Sequence, residues 1–278
     1  MRFRDRIVVV TGGGYGIGRG IALAFGCEGA HVVLAARSRE KLESVAAELR
    51  ARGTQPMVAE MSVSDEGAVA DMVRSAESTY GRIDVLVNNA GIAGPAGLAR
   101  DVPAAGWRET IETNLTGAFL CAKHVSRGMI ERKSGAIVNI GSVAGRIGYA
   151  LRSPYAASKW GMIGLSHSLA AELGPHGVRA NIVLPGSTDG ERLERVIRER
   201  AAAEGKSVEE TEAFYRNVPL GRTVTADEVA AAVTFLASDD ARSITGQVLN
   251  VDAGFRMQTE KKSYISYYPR RSALSAAK

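Results

Sequence analysis

Apolar residues along this chain fall into two rhythms. Short unbroken runs alternate with longer stretches in which apolar positions recur every three or four residues. Ile7-Val8-Val9-Val10, His31-Val32-Val33-Leu34-Ala35, a run at 56–61, Ile83-Asp84-Val85-Leu86-Val87, Ala136-Ile137-Val138-Asn139-Ile140, Val178 to Leu184 and Gln247 to Val251 are short and rich in β-branched residues. They predict seven buried strands. Between them, Ile17, Ile21, Ala24 and Phe25 keep a helical period. Further helices are expected at roughly 40–52, 65–80 and 104–131, and from Ser153 to about Gly174. Ser153 followed by Pro154 reads as an N-cap and a first-turn proline. Strands alternating with helices, without tandem repeat or linker, argue for a single α/β domain over 1–258. Its sheet should be doubly wound, parallel and seven-stranded, with helices on both faces.

The turn after the first strand reads Thr11-Gly12-Gly13-Gly14-Tyr15-Gly16-Ile17-Gly18. Strand, glycine-rich turn and helix make a phosphate cradle of the Rossmann type. Backbone N–H groups point at the anion, and the helix N-terminus adds partial positive charge. The spacing is G-x-x-x-G-x-G, unlike the general G-x-G-x-x-G fingerprint. After the second strand comes Ala36-Arg37-Ser38-Arg39, where an NAD site usually carries an acid for the ribose hydroxyl. Here Arg37 could grip a 2′-phosphate bidentately, which points to NADP.

Tyr155 and Lys159 are four apart, so on a helix they share a face, one turn apart. A phenol is a poor acid-base group at neutral pH, and a neighbouring ammonium lowers its pKa. Such a pair can exchange a proton near neutrality. Ser142 closes the fifth strand, where a hydroxyl can face an open α/β site and hydrogen-bond a substrate oxygen. A tyrosine and lysine at this spacing are commonplace on surface helices, so the surrounding motifs decide the reading.

Those motifs converge. From about Asp5 to Gly254 the chain resembles the short-chain dehydrogenase/reductases. The resemblance rests on TGGGYGIG at 11–18, NNAG at 88–91, Asn114, Ser142, YAASK at 155–159 and PG at 185–186, in that order. It implies that Tyr155 donates the proton in reduction or accepts it in oxidation. Lys159 would lower the tyrosine pKa and hold the nicotinamide ribose, and Ser142 would position the carbonyl. Asn114 would anchor a water linking Lys159 to solvent. Gly12, Gly14, Tyr15, Gly16, Ile17 and Gly18 would cradle the pyrophosphate, with Asn89, Ala90 and Gly91 along the adenosine ribose and Pro185, Gly186 and Thr188 at the nicotinamide. Where relatives commonly place an Asp near the adenine, this chain has Ser62, leaving Val63 to offer backbone groups. The hydride belongs to the cofactor. A homotetramer is implied too, and the helix after Lys159 carries Trp160, Met162, Ile163, Leu165 and Leu169.

The function expected is hydride transfer between NADP(H) and a carbonyl or secondary alcohol. An NAD-dependent polyol or hydroxy-acid dehydrogenase is the alternative within the same chemistry. A non-catalytic cofactor-binding regulator is the alternative outside it, and the joint presence of Asn114, Ser142, Tyr155 and Lys159 argues against that. Between Gly186 and Leu220 lies an insertion with Leu193, Val196 and Ile197 at helical spacing, then Ser207-Val208-Glu209-Glu210, a capping box. It predicts a helical substrate lid at about 187–221, or an oligomer contact. Arg146 and Arg152, between Ser142 and Tyr155, suggest an anionic substrate.

The net charge of +5 changes little, because five of the basic residues sit in a tail at 259–278 opposed only by Glu260. A nearly neutral body does not resemble a nucleic-acid-binding face. The tail is expected to lie outside the sheet core, either solvated or docked on a neighbouring subunit. The four histidines do not cluster and Cys27 and Cys121 form no CxxC, so no metal site is expected. The N-terminus lacks a signal-peptide pattern and no apolar stretch approaches the ~18 residues of a membrane span, so the protein is expected in the cytoplasm with free thiols.

Overall fold

The apolar runs pair as strands, and the computed structural model, which describes residues 1–255, places them in one sheet. The strands are β1 (Ile7–Thr11), β2 (His31–Ala36), β3 (Met57–Glu60), β4 (Val85–Asn88), β5 (Gly135–Ile140), β6 (Val178–Pro185) and β7 (Val248–Val251). All pairs are parallel, in the order β3-β2-β1-β4-β5-β6-β7. The helices among the described residues are α1 (Gly16–Cys27), α2 (Arg39–Arg50), α3 (Glu66–Tyr80), α4 (Ala104–Ile111), α5 (Gly117–Arg132), α6 (Ser153–Leu173), α7 (Glu191–Glu204), α8 (Val208–Arg216) and α9 (Ala226–Ala237).

Strand alternation assigns each residue to a layer. Val8 and Val10 pack with Ile21 and Phe25 of α1 and with Val229 and Val233 of α9. Ile7 and Val9 pack with Val69 and Met72 of α3, Val125 and Met129 of α5, and Leu169 of α6. Both faces of the sheet are therefore covered, as the branched, continuous strands require. The chain order reverses between β1 and β4, and this opens a crevice at the strands' C-terminal ends.

Three details differ from the sequence expectations. The helix expected at 104–131 is interrupted by a π turn over Glu112–Thr116, centred on Asn114. Ser153 is the first residue of α6 rather than its cap. Arg152 takes the cap position without a side-chain cap bond, because its guanidinium is engaged elsewhere. Helix α9 lies outside the expected helices, and Thr225 and Glu228 form a complete capping box at its start. The capping box expected at Ser207 is formed with Glu210. Cys27 is exposed and Cys121 buried, both free thiols, and burial pushes the Cys121 thiol up to about 12. No helix among the described residues is long and apolar enough to cross a membrane. The basic tail expected at 259–278 lies outside the described residues.

Candidate active site

A cleft of about 580 Å³ runs along the C-terminal ends of β1, β4, β5 and β6. At one end it is floored by the glycine turn. Gly12 and Gly16 take φ of +65° and +54°, a left-handed region that costs a residue with a Cβ. A Cβ on Gly18 would overlap the Gly12 carbonyl and the Asn89 amide, so that position is closed to any other residue. A Cβ on Gly16 would meet nothing within 4 Å. The N-cap of α1, Tyr15, makes no side-chain bond to the first turn, and that turn holds no acid. Its N–H groups are left for an anion.

Thr11 ties the turn to the end of β4. Its hydroxyl accepts from the N–H groups of Asn89 and Ala90, each at 3.0 Å. Asn89 Nδ2 donates back to the carbonyls of Thr11 and Gly12 at 2.9 and 3.1 Å. Gly12, Gly14, Tyr15, Gly16, Ile17, Gly18, Asn89, Ala90 and Gly91 all line the cleft. This glycine-floored cradle with free helix N–H groups fits the pyrophosphate of a dinucleotide.

Two expected cofactor residues stand apart from the lining. Arg37 follows β2 and is exposed, and Val63 is buried with its side chain against Gly117. Any contact by Val63 falls to its backbone. Lys41 and Ser44 of α2, which sequence reasoning passed over, do line this end, with Lys41 Nζ 4.9 Å from the Tyr15 ring centroid. The available signal was a base inside the helix that follows the second strand.

The middle of the cleft gathers Ser142, Tyr155 and Lys159. Tyr155 sits in the first turn of α6 and Lys159 one turn on, its Nζ 5.8 Å from the Tyr155 ring centroid. Lys159 is buried and donates to the Ile140 carbonyl at 2.8 Å. Ser142 Oγ accepts from the Ala144 N–H at 3.2 Å. Burial pushes the Tyr155 phenol up, but Arg192, Lys159, a hydrogen bond from Ser142 and Arg152 together bring it below the ordinary phenol value. Burial pushes Lys159 down, opposed by Tyr155 and reinforced by Arg192. A phenol so placed can give or take a proton at an oxygen lodged beside it.

Asn114 lies beneath them. Its Oδ1 accepts from the Ile92 N–H at 2.7 Å, and its Nδ2 donates to the Ile92 carbonyl at 2.9 Å and to Ser158 Oγ at 3.0 Å. The side chain is therefore a strut that ties the π turn to Ile92 and to Ser158, next to Lys159 on α6. Pro185, Gly186 and Thr188 line the cleft beyond β6, where Thr188 Oγ1 donates to the Gly186 carbonyl at 3.3 Å.

The far end is walled by α7 and α8. Ile147 and Tyr149 face Leu193, Val196, Phe214 and Tyr215 across it. The hydroxyls of Tyr149 and Tyr215 are 3.0 Å apart, and the Arg200 guanidinium carbon lies 4.7 Å from the Phe214 ring centroid. The structure corrects the expectation for the two loop arginines. Arg152 is buried, donates to the Gly94 carbonyl at 2.9 Å and pairs with Glu199 of α7, so it latches the helix rather than waiting for a ligand. Arg146 does not line the cleft. Arg192 of α7 also lines the cleft, its guanidinium carbon over the Tyr155 ring at 5.7 Å from the centroid. Its signal in the sequence was a base in a first helical turn, where the helix dipole disfavours a cation.

Known proteins are similar to this chain in sequence and fold. Residues 12–256 match the family model described as Enoyl-(Acyl carrier protein) reductase. A relative, the 3-oxoacyl-(acyl-carrier-protein) reductase FabG of Salmonella typhimurium, is 37% identical over 92% of this chain and 100% of its own length. An NAD+-bound xylitol dehydrogenase superposes with a TM-score of 0.89 at 32% identity, covering 91% of this chain and 100% of that one. A substituted actinorhodin polyketide ketoreductase with NADPH gives 0.86 at 36% identity, covering 91% and 98%.

Proposed function

The chain belongs to the short-chain dehydrogenase/reductases, and from that premise we propose that it is an NADP(H)-dependent carbonyl reductase or secondary-alcohol dehydrogenase. The observation that carries the reading is the gathering of Tyr155, Lys159 and Ser142 in the same cleft as a glycine cradle fit for a dinucleotide. The nicotinamide cofactor supplies or accepts the hydride when bound. The chain's own residues do the rest. Gly12, Gly14, Tyr15, Gly16, Ile17 and Gly18 hold the pyrophosphate, and Asn89, Ala90 and Gly91 flank the adenosine ribose. Lys159 steadies the nicotinamide ribose and the phenolate, and Pro185, Gly186 and Thr188 frame the ring. Ser142 hydrogen-bonds the substrate oxygen, and Tyr155 passes it a proton in reduction or removes one in oxidation. Asn114 positions Lys159 through Ser158 and Ile92.

Preference for NADP is supported by Arg37 at the end of β2, by the absence of an acid there, and by Lys41 on the wall beside Tyr15. Cationic contacts to a 2′-phosphate are worth roughly ten- to a hundredfold in affinity. The test is turnover of a ketone and alcohol panel by the purified full chain with each cofactor. NADPH should exceed NADH in kcat/KM by that margin. Equal or better use of NADH rejects the preference, and no turnover of any carbonyl or alcohol favours a regulator.

Helices α7 and α8 act as the substrate lid in this reading, since they wall the cleft directly beyond Gly186. The assembly is a cytoplasmic homotetramer. Exposed Trp107, Phe119 and Trp160 lie on α4, α5 and α6, which pack side by side, while Phe235 and Leu249 mark the open β7 edge. Met162 and Leu169, counted toward that surface from sequence, are buried within the subunit. A monomeric mass by light scattering rejects the assembly.

A further inference from the structure

Arg192 helps to hold the Tyr155 phenol down but neither carries the proton nor belongs to the glycine cradle, and it lines the cleft that holds both. Its Nη2 is buried with no hydrogen-bond partner among the described residues. The two other cations that act on Tyr155 are occupied: Lys159 donates to the Ile140 carbonyl, and Arg152 holds Gly94 and Glu199. Two acids, Asp189 and Glu191, also line the cleft. Asp189 accepts from the Thr223 hydroxyl, and neither acid pairs with Arg192 among the described residues. A buried donor on a charged group is costly to leave unpaired, and the first turn of a helix is the wrong end for a cation. Both penalties vanish when an anion sits on the guanidinium.

We propose that Arg192 is the substrate-anion site, so that the substrate is a keto acid or hydroxy acid whose carboxylate Arg192 grips while its oxygen meets Tyr155 and Ser142. This deepens the carbonyl-reductase reading and rests on it. The guanidinium carbon is 5.7 Å from the Tyr155 ring centroid, so carboxylate and reacting carbon belong to one small molecule. Ile147, Leu193, Val196 and Phe214 line the space around them, which suits a hydrocarbon body, including a ring. The carboxylate also neutralises a charge that depresses the Tyr155 pKa, so the phenol keeps its proton until the carbonyl takes it.

The test uses the full chain, with 4-oxocyclohexanecarboxylate and acetoacetate each measured against its methyl ester. Wild type should favour at least one acid over its ester by roughly ten- to a hundredfold in kcat/KM. In Arg192→Met that ratio should fall toward one, and Arg192→Lys should fall between, since it keeps the charge and loses the bidentate grip. Arg192→Gln serves if the methionine variant does not fold. Calorimetry with cyclohexanecarboxylate, which has no ketone to reduce, should show binding in wild type and its loss in the variant. Equal use of both acids and their esters by wild type, or a ratio unchanged by the substitution, overturns the proposal. So does a variant that keeps the ratio but binds NADPH at least tenfold more weakly, which would give Arg192 to a cofactor phosphate. Absence of any turnover sinks the oxidoreductase reading instead, and calorimetry then still decides whether Arg192 holds a carboxylate.

Discussion

Replacing Tyr155 by Phe removes one oxygen and leaves the ring. The structure limits what else should change. The ring stays between the Lys159 ammonium at 5.8 Å and the Arg192 guanidinium at 5.7 Å from its centroid. Ser142 keeps the Ala144 N–H at 3.2 Å, and the lost hydroxyl forfeits at most one hydrogen bond. One lost hydrogen bond costs no more than about 1.5 kcal/mol of stability. None of the glycine cradle touches the lost oxygen, so the cofactor should bind as before. Loss of the proton donor should lower kcat by ~10²- to 10⁴-fold, which is about 3–5 kcal/mol of transition-state stabilisation. The chemical effect is thus several times the structural one, and the two separate in measurement. Steady-state kinetics, thermal melting and cofactor titration on the same preparation suffice. The pH profile adds a signature. Reduction needs the neutral phenol, so the wild-type reductive rate should fall as pH rises through the lowered Tyr155 pKa, and the oxidative rate should rise through it. The variant should lose that limb in both directions. A variant that keeps more than about a tenth of kcat, or keeps the limb, refutes Tyr155 as the proton carrier.

Lys159→Met removes a cation that holds the Tyr155 phenol down, so the oxidative limb should move to higher pH; a limb that stays in place would show that Lys159 does not tune the tyrosine. Gly18→Ala should cost more than ~2 kcal/mol or abolish folding, because its Cβ overlaps the Gly12 carbonyl, whereas Gly16→Ala should fold and lose cofactor affinity. Comparable melting losses in the two variants would contradict that contrast. Glu199→Gln leaves the buried Arg152 without its charged partner, so it should raise KM and cost about 1–3 kcal/mol of stability; a fall in kcat at constant KM would deny the latch its role in closing the cleft.

The seven strands, the alternation of layers and the glycine turn were legible because each depends on local spacing. A run of branched residues forms a buried strand wherever it pairs. Gly12 and Gly16 are required by their own backbone angles, and Tyr155 and Lys159 share a face because a helix repeats every 3.6 residues. Even the capping box at Ser207 needed only a short stretch of chain. Four decisions came from contacts between segments distant in sequence. Lys41 lines the cleft because α2 packs beside the turn holding Tyr15. Asn114 became a strut because the π turn aims it at the backbone of Ile92, twenty-two residues away. Glu199 of α7 captured Arg152, which the sequence had offered to an anion, and the same packing brought Arg192 over Tyr155 with a bare N–H. Periodicity names the residues on a helix face, but which charge that face presents to the cleft depends on where the helix docks. For α7 the docking is set by Tyr149 on Tyr215, Arg200 against Phe214 and Arg152 on Glu199, all joined only once the chain has folded.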